Sequence, residues 1–265
     1  MRVALALALG LGLQAQNEPR PPQDVPPVGK SPILLYEDFE TTAPGQAPRG
    51  WQKQGAVGVA ADQAHSGRHA LRIEAAPNGP RRITFKGDAL KALGGRHWGR
   101  LFFRVQQPSP VPASGVVHST LVAGAAQSPL HKDPIEVRVV DTVMNAKGDF
   151  QWIYNLQPRM RPEFGKGGGY RTKFTDRWTL AEWFVDHATQ TYRLFVDGEE
   201  VKDVAFMKGA GQFKDAEIPE VFESLSVGWN NYQQAGTGFV AWIDDVALSK
   251  DRLGIRNVPP PARKR

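Results

Sequence analysis

Apolar and polar side chains alternate along most of the chain with a period of two. In the segment 98–105, Leu101, Phe103 and Val105 fall on one face of an extended chain, whereas Arg100 and Arg104 fall on the other. This alternation is typical of β-strands that bury one face. It recurs at 33–39, 57–60, 70–75, 82–85, 116–123, 135–139, 150–156, 179–186, 191–196, 224–230 and 239–248. So many short strands predict an all-β protein with two packed antiparallel sheets.

Turn residues between these segments support the same interpretation. Asp197 and Gly198 separate two alternating segments, and glycine allows the positive φ that a two-residue hairpin turn requires. Only short helical turns are expected, at 88–93 and near 219–223.

The two ends of the chain differ from this pattern. Arg2 precedes an apolar and glycine-rich run at 3–13, and Ala15 follows at a plausible cleavage position. A run this short is typical of a secretory signal peptide, since a membrane span needs about 20 apolar residues. The alternative is a buried N-terminal helix. We predict the following divisions: a signal peptide at 1–15, a proline-rich tether at 16–32, one domain at 33–256 and a disordered basic tail at 257–265.

Composition narrows the class of partner. The chain has 33 Lys and Arg against 27 Asp and Glu, and their scattered positions form no basic stripe of the kind that binds nucleic acid. The mild positive charge favours anionic partners such as acidic glycans. The sequence contains no cysteine, so an exported protein would be held together by its core or by a metal ion. No later segment is long and apolar enough to span a bilayer, and we expect a secreted, soluble monomer, extracellular or periplasmic.

Four segments carry a resemblance to a known family. They are 36–40 (YEDFE), 64–71 (AHSGRHAL), 226–232 (SVGWNNY) and 241–248 (AWIDDVAL). In this order they resemble the core domain of the fungal cellulose-induced protein family and its bacterial relatives. The resemblance covers about 36–249. It implies a jelly-roll (concanavalin A-like) sandwich, similar to glucuronan and alginate lyases.

The same segments predict a calcium site. Calcium prefers roughly six to eight oxygen ligands. Glu40 ends the first predicted strand, Ser66 lies in a tight turn, and Asp244 lies in the last strand, which pairs with the first in such sandwiches. In the family that the chain resembles, the calcium ligands match Glu40, the main-chain carbonyls of Ser66 and His69, and Asp244. The alternative is a pair of solvated acids beside an ordinary turn.

A long sugar chain would lie across one concave sheet face, where aromatic rings stack on sugars and planar polar groups hydrogen-bond to them. The substrate-binding candidates on that face are Trp152, Asn155 and Asn230, with Trp229 expected in the core. The catalytic candidates are His118, Arg138 and Tyr232.

These three catalytic candidates match the chemistry of a uronic-acid lyase. In such an enzyme a cation neutralises the sugar carboxylate, a base removes the adjacent proton and an acid protonates the leaving oxygen. The resemblance implies that Arg138 neutralises, that His118 assists or acts as the base, and that Tyr232 acts as base and acid in turn.

Each catalytic candidate also has a purely structural alternative. Arg138 would form an ion pair with Glu136 or Asp141 on the surface. His118 would be a hydrogen-bonded, half-buried histidine. Tyr232 would only pack at the end of a strand.

The chain also departs from the family pattern at the proposed cleft. Thr142 stands where the family has a glutamine four residues after the arginine. Ile135 and Glu136 stand where the family has Lys-His, and Asn230 stands where it has an acid. These changes affect the neutralising groups on which lyase activity depends.

Two functions are therefore carried forward. We favour a non-catalytic carbohydrate-binding jelly roll, and the alternative is a polysaccharide lyase that cleaves uronic-acid polymers by β-elimination. An exported structural or adhesion domain without a glycan ligand is the third reading. The sequence has no zinc-peptidase helix, no Gly-x-Ser-x-Gly elbow and no phosphate-binding loop.

Overall fold

The structure is a computed structural model, and it describes residues 29, 32–128, 132, 134–158, 164–205, 207 and 218–255. The predicted signal peptide, the predicted basic tail and all of the predicted tether except positions 29 and 32 lie outside the described residues. Within the described ranges, no helix combines the length and the apolar character that crossing a bilayer requires.

Two antiparallel sheets make up the described domain, which confirms the predicted all-β, two-sheet jelly-roll sandwich. Sheet A contains β1 (Ile33–Glu37), β3 (Val57–Ala60), β4 (Ala70–Ile73), β6 (Arg96–Val105), β11 (Thr179–Asp186), β12 (Thr191–Val196), β13 (Glu199–Glu200) and β15 (Ala241–Ser249). Sheet B contains β2 (Trp51–Gln54), β5 (Gly79–Phe85), β7 (Val116–Gln127), β8 (Pro134–Asn145), β9 (Phe150–Pro158), β10 (Phe164–Gly167) and β14 (Ser224–Asn231). The described helices are α1 (Asp88–Leu93) and a 3₁₀ turn at Lys202–Val204.

The strand order brings distant parts of the chain together. Sheet A runs β13-β12-β11-β6-β15-β4-β3, and β1 pairs with β15, so the first and last strands are adjacent as predicted. Sheet B runs β10-β9-β8-β7-β14-β5-β2. The centre of sheet B therefore places strands from the middle of the chain beside a strand near its end.

The core lies between the two sheets and is rich in aromatic side chains. Tyr154 of sheet B packs on Tyr192 of sheet A with ring centroids 4.5 Å apart, and Trp152 meets Phe103 edge to face at 6.1 Å. Aromatic pairs of this kind stabilise a fold by about 0.5–1.5 kcal/mol beyond the area that they bury. These contacts join the sheets in a domain that has no cysteine.

One break in the alternation of β8 determines which of its side chains point away from the core. The register between β8 and β9 shifts between Arg138 and Asp141, and Val139 and Val140 are both fully buried in the core. An extra residue in a strand is a β-bulge, which reverses the faces of the residues beyond it. Arg138 and Asp141 consequently project from the same outer face of sheet B, although their spacing of three would place them on opposite faces of a regular strand.

Most of the predicted elements are present, with two differences. Strands β2, β10 and β13 had no counterpart in the sequence pattern, and each is only two to four residues long. The predicted helical turn at 219–223 is wrong, because that segment is irregular. Its start is held by the Gln190 side chain, which accepts from the Ile218 N–H and donates to the Ile218 carbonyl, and Phe222 is drawn into the core.

The close approach of β6 to β11 leads to a first prediction. A Cβ atom built on Gly99 would lie 2.0 Å from Cζ2 of Trp183, whose side chain is fully buried and cannot swing away. We expect Gly99→Ala to lower the free energy of unfolding by about 1–3 kcal/mol, as overpacked cores do. Urea denaturation measures the change. Gly168→Ala is the control, because its Cβ would make only ordinary contacts of 3.5 Å or more, and an equal loss in both variants would contradict the prediction.

Candidate functional site

Polar and charged side chains gather on the outer face of sheet B, the face turned away from sheet A. We call this group the outer cluster, and its members come from strands β5, β7, β8 and β9 and from the C-terminal part of β14 and the residue after it. The members of the outer cluster are Arg82, His118, Thr120, Glu136, Arg138, Asp141, Asn155, Asn230 and Tyr232.

Arg138 lies at the centre of the outer cluster. Its neighbours in the strand, Val137 and Val139, are fully buried in the core, so Arg138 points to the outer face as predicted. Its Nε donates to Oε1 of Glu136 at 2.9 Å. Its guanidinium carbon lies 4.0 Å from the centroid of the Tyr232 ring, a cation–π distance.

A second set of contacts links Tyr232 to strands β7 and β8. His118 Nε2 lies 2.6 Å from Oδ2 of Asp141, and Thr120 donates to the other Asp141 oxygen at 2.7 Å. The Thr120 hydroxyl is also 3.2 Å from the Tyr232 hydroxyl. The His118 and Tyr232 rings are 4.7 Å apart. The structure thus brings the three sequence-predicted catalytic candidates, His118, Arg138 and Tyr232, around one point.

Glu136 connects the charged members of the outer cluster. Its carboxylate accepts from Arg138, from Arg82 at 3.3 Å and from the Tyr232 hydroxyl at 3.2 Å. Burial by itself would raise the pKa of Glu136, but the adjacent Arg138 and Arg82 outweigh burial and hold that pKa below its usual value. Glu136 is therefore an anion at neutral pH. The structure shows the ion pair between Arg138 and Glu136 that the structural alternative predicted, but Arg138 is buried, 4% exposed, and does not lie on the surface.

Asp141 and Tyr232 can also lose a proton, and burial raises the pKa of both side chains. Asp141 has no exposed surface, and desolvation raises the pKa of its carboxyl above the usual value despite the contact with His118. Burial, followed by the charge of Glu136, raises the pKa of Tyr232 to about 12. Tyr232 consequently holds its proton at neutral pH and serves as a hydrogen-bond donor.

The substrate-binding candidates divide between the two faces of sheet B. Asn155 lies opposite Arg138 on β9, with its Oδ1 3.5 Å from Nη1 of Arg138. Asn230 is half-buried and lines a small cavity together with Arg82 and Thr120. Trp229 is fully buried in the core, as expected.

Trp152 requires a correction. Its side chain lies in the core between the sheets, 5% exposed, and packs against Phe103 and Phe150. Strand β9 keeps its alternation through this segment, so Trp152 and Asn155, three residues apart, must face opposite sides. Trp152 therefore supports the sheet from within and does not line the outer cluster.

Asp141 is the member of the cluster that strand alternation assigns to the wrong face. A regular strand would direct Asp141 inward with Val137 and Val139. The adjacent pair Val139 and Val140, two β-branched apolar residues that both favour burial, is the one signal in the sequence for the bulge that turns Asp141 outward.

The calcium candidates lie on the other side of the sandwich, around the turn at 65–69. Glu40 Oε1 accepts from the backbone N–H groups of Arg68 and His69 at 2.7 Å each. Asp244 Oδ2 accepts from the backbone N–H groups of His65 and Ser66, at 2.8 and 3.1 Å. The two carboxylates therefore both hydrogen-bond to the same short turn.

The burial of Asp244 favours a cation at this turn. Asp244 is fully buried, and burial together with the neighbouring Asp245 raises its pKa to about 8, so a nearby cation would stabilise its anionic form. Within the described residues, no three His, Asp or Glu side chains converge to hold a metal ion. Main-chain carbonyls, such as those of Ser66 and His69, would therefore have to complete the ligand set, which calcium accepts.

An open depression lies beside this turn. It has a volume of about 600 Å³ and is lined by 61–64 and 67–69. Its side chains Asp62 and Arg68 are exposed, and Asp62 is already paired with Arg72. The depression is wider than the small cavity at the outer cluster, but it does not bring together side chains from distant strands.

Comparison with known proteins supports the fold. No family model and no curated protein sequence matches the chain. Among solved structures, the cellulose induced protein Cip1 superposes with a TM-score of 0.53 and 17% identity over 84% of this chain and 100% of that one. A carbohydrate esterase, vb_24B_21 of the Shiga toxin-encoding bacteriophage phi24B, superposes with a TM-score of 0.51 and 14% identity over 83% of this chain and 98% of that one. At these identities the likeness is one of fold, and it agrees with the resemblance seen in the sequence.

The buried contacts of Asp141 generate a second prediction. We expect Asp141→Ala to lower the free energy of unfolding by about 3–5 kcal/mol, because it leaves the buried groups that surround Asp141 without their shared partner. Asp203→Ala, which removes an exposed ion pair with Arg171, should cost less than about 1 kcal/mol. Both values come from urea denaturation.

A double-mutant cycle then isolates the contact between His118 and Asp141. If their 2.6 Å contact stabilises the fold, the combined His118→Ala and Asp141→Ala variant should lose less than the sum of the single losses, by about 0.5–3 kcal/mol. Strict additivity would contradict the role assigned to this pair.

Proposed function

We propose that this protein is exported and binds polysaccharide through the outer cluster as a non-catalytic module. The observation that carries the proposal is the convergence of planar polar side chains from five strands on one sheet face. A ligand has access to the partly exposed edge of the cluster, which we call the rim and which consists of Arg82, Glu136, Asn230 and Tyr232. The side chains of Arg82 and Glu136 are 24% and 26% exposed, and Asn230 and Tyr232 are half-buried. Guanidinium, carboxylate and amide groups that are held in place supply the directional hydrogen bonds that sugar hydroxyls need.

The buried members of the cluster hold the side chains of the rim in place. Arg138, Asp141 and Asn155 are each at most 4% exposed, so their rotamers are set by packing and hydrogen bonds. Such support preorganises the exposed groups and reduces the entropy lost on binding.

A polysaccharide lyase is the second candidate, and the meeting of His118, Arg138 and Tyr232 is the observation in its favour. Two features of the same geometry favour binding over turnover. Arg138, the residue that would neutralise a uronate, is already paired with Glu136. Tyr232, with its pKa raised to about 12, is a poor base at neutral pH.

Several independent features support an extracellular carbohydrate partner. The first 15 residues have the pattern of a signal peptide. The described domain has the fold of proteins whose names refer to cellulose induction and to a carbohydrate esterase. Because fold does not determine function, these names agree with the proposal without carrying it.

We also propose a structural calcium ion held by Glu40, the carbonyls of Ser66 and His69, and Asp244. Glu40 lies in the turn after β1, Ser66 and His69 lie in the turn before β4, and Asp244 lies in the middle of β15; these three strands belong to sheet A. An ion at this point would tie both ends of the domain to one turn. It would also neutralise the buried Asp244, whose carboxylate lies next to that of Asp245.

The binding proposal predicts that the rim of the outer cluster is needed for affinity. Arg82→Ala and Asn230→Ala should each weaken binding to the best ligand of a polysaccharide panel by about tenfold or more, as expected for the loss of a hydrogen bond that involves a charged or buried group. Affinity electrophoresis followed by calorimetry measures the change.

Arg104→Ala is the matched control for Arg82→Ala. Arg104 is 22% exposed and ion-paired like Arg82, but it lies on the outer face of sheet A. The Arg104→Ala variant should bind the polysaccharide as tightly as the parent does. Equal losses in both arginine variants would contradict a site on sheet B.

The same preparations separate binding from turnover. Incubation with glucuronan, alginate and pectate should release no unsaturated uronides, which absorb in the ultraviolet. Absorbance that grows with the parent protein and is absent with Tyr232→Phe would establish the lyase instead.

The calcium proposal predicts a metal-dependent melting temperature. Free calcium at about 100 times its Kd should stabilise the parent by about 2.7 kcal/mol, because a ligand that binds only the folded state shifts the unfolding equilibrium. Differential scanning calorimetry, with chelator and with magnesium as controls, measures the shift. Asp244→Asn and Glu40→Gln should lose the calcium response, and a parent whose melting curve is the same in calcium and in chelator would overturn the proposal.

A further inference from the structure

Glu136 occupies the position at which an acidic sugar would place its carboxylate. A uronate bound to the outer cluster needs a cation to pair with and hydroxyl donors to satisfy its oxygens. The described cations of the cluster are Arg82 and Arg138, and Glu136 contacts both. The Tyr232 hydroxyl, which would donate to a ligand carboxylate, donates to Glu136 instead.

Glu136 offsets part of the positive charge of the outer cluster. Arg82 and Arg138 supply two positive charges, and Glu136 lies between them as an anion. Asp141 is shielded from the rim because it is fully buried and contacts His118 and Thr120. A second carboxylate at the rim would be repelled by Glu136, whose side chain is 26% exposed, and both arginines of the cluster already pair with Glu136.

We propose that Glu136 is a specificity-determining residue that makes the outer cluster select neutral polysaccharides and reject uronic-acid polymers. This inference rests on the proposed glycan site and names its substrate class. The rejection has two physical parts. A uronate would have to displace Glu136 from Arg138 and leave a half-buried carboxylate with only Arg82 as its ion-pair partner, and it would be repelled by Glu136 wherever that displacement failed.

The overall charge of the protein would predict the opposite preference. The chain carries a formal charge of +6, which favours anionic polymers at long range. Such attraction is screened over about 8 Å at physiological salt, whereas Glu136 acts at contact distance. The local charge therefore decides which ligand is retained.

The experiment compares two ligand classes across four proteins. Neutral cello- and xylo-oligosaccharides and acidic glucuronan and alginate oligosaccharides of equal length are titrated by calorimetry at physiological salt. The proteins are the parent, Glu136→Gln, Glu136→Asp and Glu199→Gln. Glu136→Gln removes the charge but keeps a side-chain oxygen for Arg138, and Glu136→Asp keeps the charge.

Glu199→Gln is the control for net charge. It removes the same unit of charge from an exposed position on β13, in sheet A. The melting temperature of each variant shows that it is folded.

We expect only Glu136→Gln to change its preference between neutral and acidic oligosaccharides. The parent, Glu136→Asp and Glu199→Gln should bind neutral oligosaccharides and show at least about tenfold weaker binding to the uronates, the effect of one charge-assisted contact. Glu136→Gln should gain at least about tenfold in uronate affinity, because Arg82 and Arg138 then carry charge that the ligand can neutralise.

The outcomes distinguish this inference from the function on which it rests. Neutral binding by the parent together with no uronate gain in folded Glu136→Gln overturns the selectivity and leaves the glycan site standing. Parent binding to uronates as tight as to neutral sugars overturns the selectivity as well, and this readout does not depend on the folding of any variant. Absence of binding to either class in all four proteins overturns the proposed function.

Discussion

The β-bulge at Val139 and Val140 is the constraint on which the outer cluster depends. Both valines are buried in the core, because the gain from removing two apolar side chains from water exceeds the cost of one irregular ladder step. The strand then re-emerges with Asp141 on the same face as Arg138. Without that shift Asp141 would point between the sheets, and His118 and Thr120 would lose the shared carboxylate that now orients them.

The acidic side chains of the outer cluster are paired with other members of the cluster. Buried ionic groups are tolerated only when partners offset the loss of water, and every acidic member of the outer cluster has such a partner. Glu136 is held by two arginines and Asp141 by His118 and Thr120. Under the proposed function, a site whose arginines are already ion-paired would recognise sugar hydroxyl groups by the direction of their hydrogen bonds. The ion pairing of Arg138 also weakens the case for β-elimination, which begins by stabilising the negative charge that develops beside a carboxylate.

The sequence predicted those features that depend on local pattern. Alternation located twelve strands, the face of Arg138, the buried Trp229 and the hairpin at Asp197, whose φ of 49° and neighbouring Gly198 φ of 88° are those of the expected tight turn. It failed where tertiary context acts. Trp152 was assigned to the ligand face for its aromatic ring, although alternation with Asn155 excludes that, and the bulge changes the face of Asp141 by a register shift that only neighbouring strands define.

The two candidate sites occupy opposite sides of one sandwich, and this separation limits what the proposed calcium ion would do. Asp244 belongs to sheet A and Glu40 follows its strand β1, whereas the outer cluster lies on the far face of sheet B. Two sheets that pack about 10 Å apart stand between them, so no calcium ligand can touch a glycan bound at the cluster. An ion on sheet A would therefore act on binding only through the stability of the whole domain. The charge at the outer cluster is set by Arg82, Glu136 and Arg138, which the chain supplies by itself.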